Sequence, residues 1–167
     1  MKTKVSVLCL AAAFLLMLFA QGCAQKPESD LQKVADKIIK TLNSADPVAV
    51  ANLYAPDAVM IQPDTSEPVR GRDALLKYYT TMFKAVPDWK IDFSLVAFHG
   101  DTIICEGVGY GTFSGPLSTP EGDAPPTGKK ITMKMAFFGK INADGLIAED
   151  RSYFDNLDYM KQLGLIK

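Results

Sequence analysis

Histidine and cysteine are scarce in this chain. One His and three Cys occur in 167 residues, with no Cys-x-x-Cys pair and no His-Glu-x-x-His run. A zinc site therefore lacks its usual ligands, and neither a metal nor another cofactor is expected. A surplus of one charge is also missing: 18 Lys and Arg face 19 Asp and Glu, for a net charge of −1. Removal of an N-terminal signal carrying Lys2 and Lys4 would make it −3, which argues against nucleic acid as a partner. The N-terminal apolar run, "VSVLCLAAAFLLMLFA", has 16 residues, short of the roughly 20 a spanning helix needs. Cys9 lies inside that run and Cys23 just beyond it. Cys105 then stands alone, so no intramolecular disulfide is expected in a lipidated mature chain.

A basic start, a short apolar core and an abrupt return to polar sequence are the marks of a secretory signal. Gly22-Cys23 resembles a bacterial lipobox, although Ala20 stands where Leu is usual and Gln21 is bulky for its place. Residues 1–22 are thus expected to be a signal peptide, with Cys23 lipidated and the protein tied to a membrane of the bacterial envelope. Ala24 gives no Asp-type retention signal, so in an organism with two membranes the expected site is the periplasmic face of the outer membrane. Ordinary secretion is the alternative. The remaining 145 residues suit one domain, 31–167, behind a polar tether, 23–30.

In "LQKVADKIIKTL" apolar residues recur at three and four, which predicts an amphipathic helix with Asp30 as its cap. "SADPVAVANLY" restarts a helix, with Asp46 as N-cap and Pro47 in the first turn. "AVMIQP" reads as a short strand, "DTSEPVRG" as a loop and "GRDALLKYYTTMFKAV" as a third helix. Strands follow: "WKIDFSLVAFHG", then "IICEGVGYGTFSG", whose glycines suggest bulges. After the loop "PLSTPEGDAPPTG" come "KKITMKMAFFGKI", the turn "NADG", "LIAEDRSYFD" and a short terminal helix. Helices followed by a strongly bent antiparallel sheet indicate an α+β fold, with a ligand-sized hollow between the layers.

The stretches "YAPDAVMIQP", "GRDALLKYYTTMFKAVPDW", "GYGTFSG", "PPTGKKI" and "NADGLIAEDRSYFDNL" together resemble the SnoaL-like polyketide cyclases of the nuclear-transport-factor-2-like superfamily. That superfamily also holds the ketosteroid isomerases. The resemblance spans Leu31 to Leu165 and implies a cone-shaped fold enclosing a pocket. Its catalytic positions are altered here. Gln62 matches the isomerases' basic Asp, and Phe137 matches their oxyanion-hole Asp. Ser152, after Arg151, matches the cyclases' basic Asp, and Phe113 matches the His of their "GTHTG" run.

Period two settles which residues of the last strand face inward. Ile131, Met133, Met135, Phe137 and Ile141 form an apolar face. A four-residue turn would set Ile141 opposite Leu146, Phe137 opposite Asp150, Met135 opposite Ser152 and Met133 opposite Phe154. Asp150, Ser152 and Phe154 are then expected inside, with Glu149, Arg151 and Tyr153 outside. Among apolar neighbours the Asp150 carboxyl should have a raised pKa, which suits proton transfer. Tyr54, Tyr79 and Phe83 are expected at helix positions able to line the hollow, or equally to pack the core. Trp89 is read as a core or rim residue, His99 as exposed in a turn, Cys105 as buried and Asp155 as a helix cap.

The expected pocket therefore comprises Tyr54, Gln62, Met135, Phe137, Asp150, Ser152 and Phe154. The expected role is to bind a small hydrophobic molecule in the envelope, without the relatives' catalytic groups. One alternative is an isomerase or cyclase acting next to a carbonyl, with Asp150 as general base. Another is an interaction module that forms a homodimer through the sheet, as the resemblance implies.

Overall fold

The computed structural model describes residues 27–119 and 122–167. The expected signal peptide, Cys23 and the start of the tether lie outside these residues. The first helix, α1 (Glu28–Leu42), begins at the end of the expected tether. Pro27 is its N-cap, and the expected cap, Asp30, sits inside the first turn and pairs with Lys33 at 3.0 Å. An acid there suits the positive end of the helix dipole without capping it. Leu31, Ala35 and Ile38 form its buried stripe.

At its end, the Asn43 side chain donates to the Ile91 carbonyl at 3.0 Å and accepts from the Ile91 N–H at 2.7 Å. This clips α1 to the outer edge of a strand. Helix α2 (Pro47–Ala51) is a single turn, capped by Asp46 through the Val48 and Ala49 N–H groups. It stops before the sequence pattern suggested. Tyr54 is not helical but opens β1 (Tyr54–Ile61), which is longer than the expected "AVMIQP" strand. The following loop contains the two-residue β2 (Val69–Arg70), and α3 (Arg72–Ala85) follows as expected.

The strands β3 (Lys90–His99), β4 (Thr102–Thr112), β7 (Lys130–Ile141) and β8 (Ile147–Phe154) complete one six-stranded sheet of order β2-β1-β8-β7-β4-β3. The proline-rich segment expected to be a plain loop holds a small hairpin, β5 (Leu117–Thr119) with β6 (Gly122–Ala124). Helix α4 (Asn156–Leu163) closes the chain, capped by Asp155 as expected. The sheet is antiparallel except that β1 runs parallel to β8. Most of the domain lies between those two strands, so no tight turn dictates their direction.

Three register shifts bend the sheet: Tyr54/Val59 in β1, Phe93/Leu95 in β3 and Lys140/Ile141 at the β7–β8 pair. Of the glycines of β4, Gly107 does mark a shift: it pairs with Phe93 where Ser94 bulges out of β3, although β4 pairs with β7 without a break. Gly109 makes room instead. A Cβ on Gly109 would lie 2.4 Å from the Trp89 ring, which occupies the space a side chain there would need. Helices cover one face of the sheet, and the core lies between the two layers.

Candidate functional site

The structure revises the pairing behind the expected site. Ile141 pairs with Ile147 rather than Leu146, so the turn is one residue longer than expected. Asn142 holds this turn: its Oδ1 accepts from the N–H groups of Asp144 and Leu146, both at 3.0 Å. A second one-residue shift follows at once, because Lys140 pairs with Glu149 and Ala148 bulges out. Two single shifts restore the original facing. Asp150 and Ser152 are buried, whereas Arg151 and Tyr153 are exposed. Glu149 is half-buried and pairs with Arg151 at 3.1 Å.

The partners differ from those expected. Phe137 pairs with Ser152, Met135 with Phe154, and Asp150 with Gly139. A Cβ on Gly139 would lie 2.5 Å from the Phe137 ring. The ring thus folds over the glycine and covers the place opposite Asp150.

Between the helices and the sheet lies a cavity of about 530 Å³. Every residue of the expected pocket lines it: Tyr54, Gln62, Met135, Phe137, Asp150, Ser152 and Phe154. Tyr79 and Trp89 line it too, while Phe83 sits in the core behind, stacked on Tyr79 with ring centroids 5.8 Å apart. Phe113 and Cys105 are core residues, and His99 is exposed at the end of β3.

A polar cluster interrupts this apolar lining. Tyr54 donates to Asp150 Oδ2 at 2.7 Å, and Ser152 donates to Asp150 Oδ1 at 3.0 Å. The hydroxyls of Tyr54 and Tyr79 are 2.6 Å apart, and Tyr79 is 3.8 Å from the Met60 sulfur. The Gln62 amide also donates to that sulfur, at 2.8 Å. Each element contributes by its local geometry. Strand β8 turns Asp150 and Ser152 inward together at i and i+2, and α3 lays Tyr79 across them. The Arg72 guanidinium grips the Tyr54 main-chain carbonyl with two bonds, at 2.6 and 3.0 Å, and so fixes the start of β1.

Among the described residues, Asp150 and Ser152 are the buried polar side chains, and Asp150 is 2% exposed. Loss of water raises the Asp150 pKa to about 6, against the lowering effect of its bonds from Tyr54 and Ser152. Burial first, and the nearby Asp150 carboxylate second, push the Tyr54 and Tyr79 phenols well above the usual range. Both phenols stay protonated and act as donors at any ordinary pH.

A second acid stands elsewhere on the cavity wall. Asp64, on the exposed β1–β2 loop, accepts from the Tyr78 hydroxyl at 2.8 Å. Surrounding protein still raises its pKa, and burial with the Asp64 charge raises Tyr159 to about 12. Sequence reasoning missed Asp64 and Tyr78. The signal was there in "KYYT": consecutive tyrosines on a helix point about 100° apart, so the two address different partners. Among the described residues, no grouping of His, Cys, Asp and Glu could hold a metal ion.

Residues 35–150 match the family described as the SnoaL-like domain, about two thirds of the chain. The chain is a SnoaL-like protein. As such it is 27% identical over 126 residues to the steroid Delta-isomerase of Nocardioides simplex, covering 75% of this chain and 90% of that protein. TsrD from Streptomyces laurentii shares the fold at a TM-score of 0.68 and 20% identity, over 85% of this chain and 100% of that one. IdmH from Streptomyces antibioticus, a candidate polyketide cyclase, matches at a TM-score of 0.62 and 27% identity, over 80% and 97%. These neighbours have the cone-shaped architecture of the nuclear-transport-factor-2-like superfamily, with helices on a large curved sheet. In this SnoaL-like protein Gln62 and Phe137 stand on the cavity wall as an amide and a hydrocarbon.

Proposed function

We propose that the chain binds a small, mostly apolar molecule in the hollow and sets one polar group of that molecule against the cluster of Asp150, Tyr54, Tyr79 and Ser152. The cavity itself carries this reading. At about 530 Å³ it falls in the size range of small-molecule sites, and its wall is apolar around one polar cluster. Such a wall supplies affinity by burial, and a few fixed polar groups supply orientation. Protein isolated under mild conditions should release a small apolar compound on unfolding, detected by native and denaturing mass spectrometry. Absence of any such compound, together with no response of Trp89 fluorescence to apolar probes, would count against the reading. The N-terminal pattern supports placing this activity in the envelope, anchored through Cys23, on the outer membrane where the organism has two. Replacing Cys23 by Ser should move the protein into the soluble fraction.

A second reading is an isomerase or cyclase acting beside a carbonyl, with Asp150 as general base. The raised pKa of Asp150 favours it, as does the similarity to a steroid Delta-isomerase. Gln62 and Phe137 speak against steroid isomerisation itself, since neither can act as a base or a hydrogen-bond donor to a developing enolate in the way an acid does. No turnover of a 5-ene-3-ketosteroid is expected. Turnover that is lost in Asp150→Asn would establish the enzyme instead. Association of two copies through the sheet has one observation in its favour: Leu95, Tyr110 and Tyr153 are exposed. Sedimentation at increasing concentration tests it.

A further inference from the structure

Asp150, Tyr54, Tyr79 and Met60 form a row of hydrogen-bonding groups, and the number of protons in that row decides what it shows to the cavity. A phenol has one proton and so donates once. When Asp150 is ionised, Tyr54 gives its proton to Oδ2. Tyr79 must then donate to Tyr54 across 2.6 Å, and its own oxygen keeps a lone pair for the cavity. When Asp150 is protonated on Oδ2, that carboxyl donates to Tyr54 and the direction reverses. Tyr54 donates to Tyr79, and the Tyr79 proton is left facing the Met60 sulfur, 3.8 Å away. Sulfur is a weak acceptor, so this proton is available to a better one. Protonation on Oδ1 would strand the Ser152 proton, for which no other acceptor is recorded among the described residues. The Oδ2 route leaves every hydroxyl paired.

We propose that the Tyr79 hydroxyl is the specificity-determining group of the cavity, offering a proton to a ligand carbonyl when Asp150 is protonated and a lone pair when it is ionised. The proposal rests on reading the hollow as a small-molecule site. It names the ligand class: an apolar ketone or aldehyde is held more tightly in the protonated state than in the ionised one. An alcohol both donates and accepts, so it fits either state.

The surroundings leave Asp150 as the titrating member. Its pKa of about 6 places the change between mildly acidic and neutral pH. On β8 its neighbours Glu149 and Arg151 pair with each other on the other face. From β7 the residues that meet it are Gly139 and the Phe137 ring, and α1 lines the cavity with Ile38 and Leu42. From β1 comes Tyr54, and from just beyond its end the uncharged Gln62. From α3 come Tyr78, Tyr79 and Lys77, and from α4 comes Tyr159. Arg72 is engaged by the Tyr54 main-chain carbonyl. Asp64, bound to Tyr78, is the other acid on the wall, and its charge acts on Tyr79.

Three probes on one naphthalene frame, differing in the oxygen of their two-carbon substituent, test the proposal by calorimetry on the whole domain: ethylnaphthalene, acetylnaphthalene and the corresponding naphthylethanol. Between about pH 5 and 7.5 the acetyl compound should lose about tenfold in affinity relative to the ethyl compound, the usual effect of one hydrogen bond. The alcohol should change little. Asp150→Asn, whose amide donates permanently to Tyr54, should bind the ketone with the acid-state affinity at both pH values. Tyr79→Phe should lose the pH-dependent preference for the ketone over ethylnaphthalene. Equal pH dependence for all three probes overturns the relay and leaves the pocket intact. Ketone discrimination that still varies with pH in Asp150→Asn also overturns it, and points to Asp64. If none of the three probes binds at either pH, the small-molecule reading falls and the relay with it.

Discussion

Burial sets the Asp150 carboxyl apart from the acids on the surface. Its folded pKa of about 6 exceeds the ordinary value of 3.8, so the unfolded chain gives up this proton first as pH rises. Stability therefore falls between about pH 4 and 6 and is level above that range. A difference of this size corresponds to on the order of 2–3 kcal/mol. Asp150→Asn should shift the balance in the variant's favour by that order between pH 4 and 7, read from urea denaturation at stepped pH. Parallel stability curves for the two proteins would mean that the carboxyl meets water. Tyr54→Phe should act in the opposite sense at neutral pH. It removes the donor that lowers the Asp150 pKa, so the infrared-monitored midpoint of that carboxyl should move above about 6, with a loss of about 1–3 kcal/mol at pH 7. The inward orientation of Asp150 was legible in the alternation of Ile131 to Ile141. The Tyr54 bond to it was not, because helical spacing around Val50 carried the eye past the point where the chain straightens.

At the scale of elements, close approach between β4 and the segment before β3 explains a glycine that sequence alone misassigned. Gly109→Ala would drive a methyl group into the Trp89 ring, so a loss of about 1–3 kcal/mol and a changed Trp89 emission are expected from thermal unfolding. An unchanged melting temperature would show that the ring yields freely. Helix positions were readable from three-and-four spacing, and Asp46 and Asp155 cap as their sequence positions suggest. The extra residue at Ala148 was not readable. A bulge needs no special residue type, and its evidence lies in the partner strand. The longer turn at Asn142 and the bulge offset each other, so the facing was right although the partner of Ile141 was one place away and those of Phe137 and Met135 two. The parallel course of β1 likewise depends on which distant strand receives it, and local sequence does not record that.

The whole molecule joins a helical layer to a sheet whose central strand arrives last. β8 pairs with β7, its near neighbour in sequence, and with β1, near the other end of the domain. The bond from Tyr54 to Asp150 spans 96 residues. Bringing such distant segments together is entropically expensive and tends to happen late in folding. Asp150 is thus desolvated only when β8 docks on β1, and the cost of burying its charge enters near the end of the route. Changes at this junction should then act on the rate of escape from the native state more than on the rate of reaching it. Stopped-flow refolding and unfolding of Asp150→Asn at pH 7 should show slower unfolding with nearly unaltered refolding. Acceleration confined to the refolding limb would place the β1–β8 contact early. On this kinetic view, the feature that shapes the polar end of the cavity also acts as the latch that sets the lifetime of the folded domain.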